Sequence, residues 1–342
     1  MSAIPDEFEF FFEKPWSDGL PVVAPTEARI AAMLSGTRRG ADELVGRVPP
    51  LLGEADVRSV AIHAVMAGCK PAYLPVVIAG LEAILDPRLN LNGVQGTMHT
   101  AAPLLIVNGP YAREIGLHGG LGCFGPGFRA NATIGRAIRL ILLNLGGGII
   151  GRISLSTFGS SARYTFCIAE NEAESPWEPY SVTKGFGPEE NVITAVMAEG
   201  PQVYIDDRTG GAEALFVGLA DRMATLGAFN IWLKTQVVVA MAPGHARICT
   251  REGLTKADVH ARLCALAVRR LGDLKRSGFW YEGLPKKWPG EIDASDDEQL
   301  IPAVKDPDDL ILIFAGGEPG PQTAVMPGWV DASDSVTKAF EA

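Results

Sequence analysis

The sequence predicts an α/β fold in which buried, mainly parallel sheets are flanked by helices, and three observations carry that reading. Four apolar runs, each closed by a Gly/Pro turn, recur at 103–110 (PLLIVNGP), 193–201 (ITAVMAEGP), 237–245 (VVVAMAPGH) and 310–321 (LILIFAGGEPGP). Runs this apolar are what strands covered on both faces look like. Segments of helical period lie between them, and strands alternating with helices indicate α/β. The composition agrees: 342 residues at 47% apolar and only 20% charged can bury a large core.

The first 55 residues read as an N-terminal arm, with an aromatic cluster (Phe8, Phe10, Phe11, Phe12, Trp16) and a short helix capped by Thr26. A first α/β half is expected over 56–190 and a second over 191–342. The first half opens with Val57, Val60, Ala61, Ala64 and Val65 at helical spacing, stopped at Gly68, and a second helix follows with Pro71 and Pro75 near its start. Residues 86–102 show no period and read as a long polar loop. A Gly-rich turn at 119–127 leads into a long buried helix expected to begin near Asn131 or Ala132. Later helices are expected at 214–226 and from a Thr255 cap, with Asp258 in the capping-box place, through 275. The irregular segment 278–309, with Trp280, Tyr281 and Trp288, reads as a lid or subunit contact. LLIVNGPYAREIGL and VVVAMAPGHARICTREGL share a strand, a proline, an Ala-Arg pair and a Gly-Leu, which suggests two related halves.

A net charge of −10 gives no footprint for a polyanion, so nucleic acid is excluded as a partner. No run reaches the ~18 apolar residues of a membrane span, and the first residues lack a basic-then-apolar leader. Five cysteines with no CxxC point to free thiols in a reducing cytoplasm. The low charge and the aromatic arm point to a homo-oligomer.

Several segments together (AIHAVMAGCKPAYLPVVIAGLEAILDP, APLLIVNGP, FGPGFRANATIGRAIRLILLNLGGG, YTFCIAENEAESPWEP, LILIFAGGEPGPQTAV) resemble the large protein of a bacterial family whose neighbours carry a small domain named for its UGSC motif, where U is selenocysteine or cysteine. The resemblance covers about 56–340, and this chain has no UGSC or CGSC of its own. The resemblance implies redox or carbon–heteroatom chemistry, with any thiol or selenol supplied by a small UGSC-type partner or else lacking here.

Within GPGFRANATIGR, a helix start with Arg129, Asn131 and Thr133 is the expected grip for a carboxylate or phosphate, although the same residues can simply cap the helix. Asn108 and His245, at strand ends, are further substrate-binding candidates. Glu170 and Glu172 at i, i+2 of a strand share a face and can work as acid and base, or run out into a solvated acidic loop. Cys69 at a helix start and Cys123 in the Gly-rich turn are the candidate reactive thiols, against a reading as inert buried ones. His99, in the polar loop, is the candidate acid–base imidazole, with His63, His118 and His260 weaker. No HxH, HExxH or CxxC occurs, so a divalent metal would need ligands from distant segments.

The expected function is an enzyme of lyase or hydrolase type acting on a small anionic organic substrate in a cleft between the two halves, with His99, Cys69, Cys123 and Glu170 as catalytic candidates. The alternative is a non-catalytic large subunit that binds substrate for, or scaffolds, a small thiol- or selenol-bearing partner.

Overall fold

The computed structural model describes residues 7–208, 210–233, 235–277, 292–330 and 333–342. Twelve strands occur among them: β1 Leu44–Val48, β2 Gly53–Asp56, β3 Ala102–Asn108, β4 Cys167–Ala169, β5 Val192–Ala198, β6 Gln202–Ile205, β7 Val237–Met241, β8 Val268–Arg270, β9 Leu300–Pro302, β10 Leu310–Phe314, β11 Gln322–Pro327 and β12 Val336–Ala339. Eight of them build two four-stranded sheets, ordered β12-β5-β3-β4 and β10-β7-β11-β6, and the other four form two small ribbons, β1-β2 and β8-β9.

The apolar runs are strands buried on both faces, because the two sheets pack on each other and helices cover their outer sides. Leu104 and Ile106 of β3, Ile168 of β4 and Val196 of β5 meet Val238 and Ala240 of β7, Ile311 and Ile313 of β10 and Met326 of β11 in one core. The alternate residues turn outward, as period two requires. Leu105, Val107, Ile193 and Ala195 pack beneath the helices Val57–Ala67, Leu74–Leu85 and Arg129–Asn144. Val237, Val239, Leu312 and Val325 do the same beneath Ala212–Met223 and Lys256–Leu266. The layers run helix, sheet, sheet, helix.

Strand direction departs from the expectation of mainly parallel sheets. Among the described residues of the two sheets only β3/β4 and β7/β10 are parallel, while β5 and β12 in one sheet and β11 and β6 in the other run antiparallel to their neighbours. Apolar content reports that both faces are covered and carries nothing about the direction of the next strand.

The two sheets share one pattern, position by position. Val107 of β3 faces Ala169 and Ile193, just as Met241 of β7 faces Phe314 and Thr323. Ile193 in turn faces Lys338 of β12, as Thr323 faces Tyr204 of β6. The edge strands are exchanged: β6 follows β5 after residues 199–201 but pairs with β11, and β12, which follows β11, pairs with β5. The boundary expected at 190/191 falls between β4 and β5 of one sheet.

Local signals hold at several helix ends. Thr26 caps Glu27–Leu34, Thr255 and Asp258 form a capping box, and Gly68 closes Val57–Ala67 at φ 88°. The helix expected to run to 275 stops at Leu266, where β8 intervenes before Leu271–Arg276. The polar loop 86–102 holds two short helical pieces, Pro87–Leu89 and Leu91–Gly96, joined by left-handed Asn90, whose side chain accepts from Gly93 N. Pieces that short leave no periodicity to read. The long buried helix begins at Arg129, one turn-fraction earlier than expected, with Phe128 as a cap residue that offers no side-chain bond. In the arm Phe11 is buried and Asp18 binds Arg136, which ties the arm to the chain's own helix layer. Trp280, Tyr281 and Trp288 lie outside the described residues. Among the described residues no single helix is long and apolar enough to cross a membrane.

Candidate functional site

A cleft of about 430 Å³ opens where β3, β4 and β10 end, walled by Arg113, His118, Asn171, Glu172, Glu174 and Glu318 with Gly119, Gly120 and Gly317 between them. The carboxyl ends of adjacent parallel strands are where open α/β sheets present their ligands. A larger groove of about 820 Å³ lies beside the C-terminal residues, and its central charges are paired: Glu82 is held by Arg39 and Lys338, both at 2.6 Å, and Arg39 also binds Glu43.

The imidazole of His118 is the best-positioned group in the cleft. Its backbone is clamped by the buried amide of Asn131, which accepts from His118 N at 2.9 Å and donates to His118 O at 2.7 Å and to Cys123 O at 3.1 Å. The ring stacks on Phe128 with centroids 3.6 Å apart. Nε2 lies 3.0 Å from the carbonyl of Leu121, which only accepts, so Nε2 donates to it and the neutral tautomer that fits has its lone pair on Nδ1. The Gly-rich turn makes this possible sterically: a Cβ on Gly119 would sit 2.4 Å from Ala169 O, and one on Gly120 would press on the imidazole at 3.0 Å.

Arg113, in the helix Pro110–Glu114, donates to Glu172 at 2.8 Å and leaves half of its side chain exposed to the cleft. Glu172 also accepts from Asn108 Nδ2 at 2.9 Å and from Gly109 N at 2.8 Å. Across the cleft Glu318 pairs with Arg247. Arg113 and Arg247 are the arginines of the two Ala-Arg pairs noted in the sequence. Glu174 accepts from Asn171 at 3.1 Å.

Several sequence candidates are brought to this region but used structurally. Glu170 is buried and accepts from Asn108 Nδ2 at 2.8 Å, Tyr180 N at 2.7 Å and Phe314 N at 3.1 Å, with Lys256 Nζ at 3.5 Å. It fastens β10 of one sheet to the end of β4 in the other and has no open lone pair for substrate. Asn108 donates to both Glu170 and Glu172, so it joins the two carboxylates and does not face a ligand. Cys123 lies under the turn, buried, and burial pushes its thiol up to about 11 against the backbone N–H groups that lower it.

Other candidates go elsewhere. Cys69 is buried, and desolvation pushes its thiol up to about 12, outweighing Thr133 and Arg129, so the helix-start argument for a thiolate fails there. Arg129 donates Nε to Gly68 O at 3.0 Å and Thr133 donates to Arg129 O at 2.7 Å, while Asn131 turns to the 118–123 turn; the three do not converge on one anion. A helix advances about 100° per residue, and alternate residues therefore point apart.

His99 sits at the opposite end of β3. Its Nδ1 accepts from Ala101 N at 3.3 Å and its Nε2 donates to Glu199 at 3.1 Å, with Phe229 stacked 4.6 Å away. Both nitrogens are committed, Nδ1 within its own loop and Nε2 to a residue just after β5. His245 is fully buried, bound through Nδ1 to Thr323 at 2.8 Å, and burial lowers its pKa. Its burial favours the neutral form.

Among the described residues no group of three or more His, Cys, Asp or Glu side chains is arranged to hold a metal ion. Sequence reasoning ranked His118 low and passed over Arg113 as a site residue. The signals were the two glycines directly after His118 and the repeated Ala-Arg pair. No protein-family model, no curated protein and no solved structure matches the chain.

Proposed function

We propose that the chain is an enzyme of lyase or hydrolase type that moves a proton on a small carboxylate-bearing molecule held in this cleft. His118 Nδ1 takes the proton, and the exposed edge of Arg113 holds the substrate carboxylate in a two-pronged grip. The observation that carries the reading is the held state of His118, whose backbone is clamped by Asn131 and whose ring is fixed by Phe128 and the Leu121 carbonyl in the same cleft that Arg113 lines. Glu172, Glu174 and Glu318 make the rim acidic, which disfavours a bare dianion and suits a substrate that also carries an ammonium group. Asn131 is a positioning residue in this reading.

A panel of amino acids and hydroxy acids, read first by thermal shift and then for turnover, tests it. His118→Gln should keep binding and lose turnover by roughly 10²–10⁴-fold, whereas Arg113→Ala should weaken binding. Full turnover in His118→Gln removes the reading. The five free cysteines fit a reducing cytoplasm. The matched strand registers and the two Ala-Arg pairs favour descent from one duplicated unit.

A second reading, as a large subunit for a thiol- or selenol-bearing partner of UGSC type or as a homo-oligomer, is favoured by an exposed apolar strip. Leu51, Ile150, Leu155, Phe158 and Met98 are all exposed, Phe158 at 92%, and Thr157 N binds Met98 O across it. Turnover that appears only on adding such a partner would favour this reading.

A further inference from the structure

Two guanidiniums lie together at the end of β3 opposite the cleft. Arg139, on the helix Arg129–Asn144, and Arg163, in the turn Ser161–Arg163, line one small cavity of about 30 Å³ with Gln95, Ala102, Pro103 and Phe166. Arg139 donates to Gly148 O at 3.1 Å, and Arg163 donates to Ser154 Oγ at 2.9 Å and His99 O at 3.0 Å. Arg163 Nε is buried with no hydrogen-bond partner. Among the described residues neither guanidinium forms an ion pair. Asp18, the acid whose charge acts on Arg139, is itself held by Arg136 through two bonds of 2.8 and 2.9 Å. Both N–H bonds of Gln95 run to the carbonyls of Pro49 and Leu142, which leaves the arginines as the donors around the cavity.

Cations removed from water are disfavoured unless an opposite charge answers them, and two together repel. Burial lowers the pKa of Arg139, and burial followed by the Arg139 charge lowers that of Arg163 to about 10. Each effect is one that an anion between the two would relieve. The space is small, so a compact anion fits it better than sulfate or phosphate. We propose that Arg139 and Arg163 form a binding site for one small monovalent anion, a halide or a single formate-sized carboxylate. The site is separate from the cleft and does not rest on the function proposed for it.

Thermal unfolding of the full chain at constant ionic strength, with gluconate replaced stepwise by chloride in one series and by formate in another, tests the site. A saturable rise in Tm is expected in at least one series, and which series responds more strongly distinguishes an inorganic ion from a carboxylate. Arg163→Gln and Arg139→Gln should each weaken the responding anion by about tenfold or more, the loss of one charge-assisted bond. No saturable response in either series, or the same response in the variants as in the wild type, overturns the proposal. Should the variants fail to fold, crystals of the wild type soaked separately in bromide and in formate decide: an anomalous bromide peak or formate density between the two guanidiniums supports the site, and the absence of both overturns it.

Discussion

Arg113 and Arg247 stand at corresponding places after β3 and β7, and their partners Glu172 and Glu318 fall within one residue of correspondence after β4 and β10, yet the two pairs are different interactions. Glu172 is nearly buried, its side chain 11% exposed, and also receives Asn108 and Gly109 N, whereas Arg247 and Glu318 are about half exposed and, among the described residues, their side chains have only each other. The residue after β4 explains much of this. It is Glu170, buried and bonded across to β10, where the strand register puts Ala315 after β10. The next comparison runs the opposite way: Tyr111 is partly exposed and reaches Ala72 O, while His245, at the corresponding place after β7, is sealed in the core. One strand framework has been used twice, once to seat a polar network beneath a cleft and once to close a core.

The sharpest way to break that contrast is Glu170→Ala. It leaves Lys256 without its carboxylate and the N–H groups of Tyr180 and Phe314 without an acceptor, a loss of about 3–5 kcal/mol. Urea unfolding measures it, and a loss under about 1 kcal/mol would mean that Glu170 is not the tie between the sheets. Next in size, Glu172→Gln should cost about 1.5–3 kcal/mol, as expected for charge-assisted bonds in a nearly buried place. The matching Glu318→Gln should be indistinguishable from wild type, because an exposed pair contributes little. Equal losses at the two sites would dissolve the distinction.

Gly119→Ala sharpens the role of the turn. The new Cβ meets backbone atoms, Ala169 O at 2.4 Å and Asn171 N at 2.8 Å, that cannot swing aside. A cost of about 1–3 kcal/mol is expected, together with a shifted His118 signal in NMR spectra. An unchanged imidazole resonance would show that the turn does not position it.

The smallest effect at neutral pH concerns the thiols. With Cys69 held up near 12 and Cys123 near 11, both should alkylate slowly in the folded protein and quickly in urea. The sign for stability follows from the raised values. The unfolded chain loses these protons first as pH climbs past the ordinary thiol value of about 8.5, so stability is level below that and falls on the way to pH 11. Fast labelling of either native thiol at pH 7 would contradict the burial argument.

The sequence by itself determined features whose causes lie within a few residues. The Thr26 cap, the Thr255–Asp258 box and the stop at Gly68 depend on side chains three positions away or on one left-handed φ. The apolar runs of β3, β5, β7 and β10 announced strands covered on both sides. What lay beyond its reach depends on partners far along the chain. Strand direction and the exchange of β6 and β12 were decided by which edge each strand met after the sheets stacked. His99 was drawn to Glu199, 100 residues on, Glu170 to Phe314, 144 residues on, and His245 to Thr323, 78 residues on. The two candidate thiols were silenced by desolvation, which no neighbouring residue reveals. Whether a polar side chain serves a ligand or the fold depends on the groups that surround it in space, and only the packed tertiary structure supplies them.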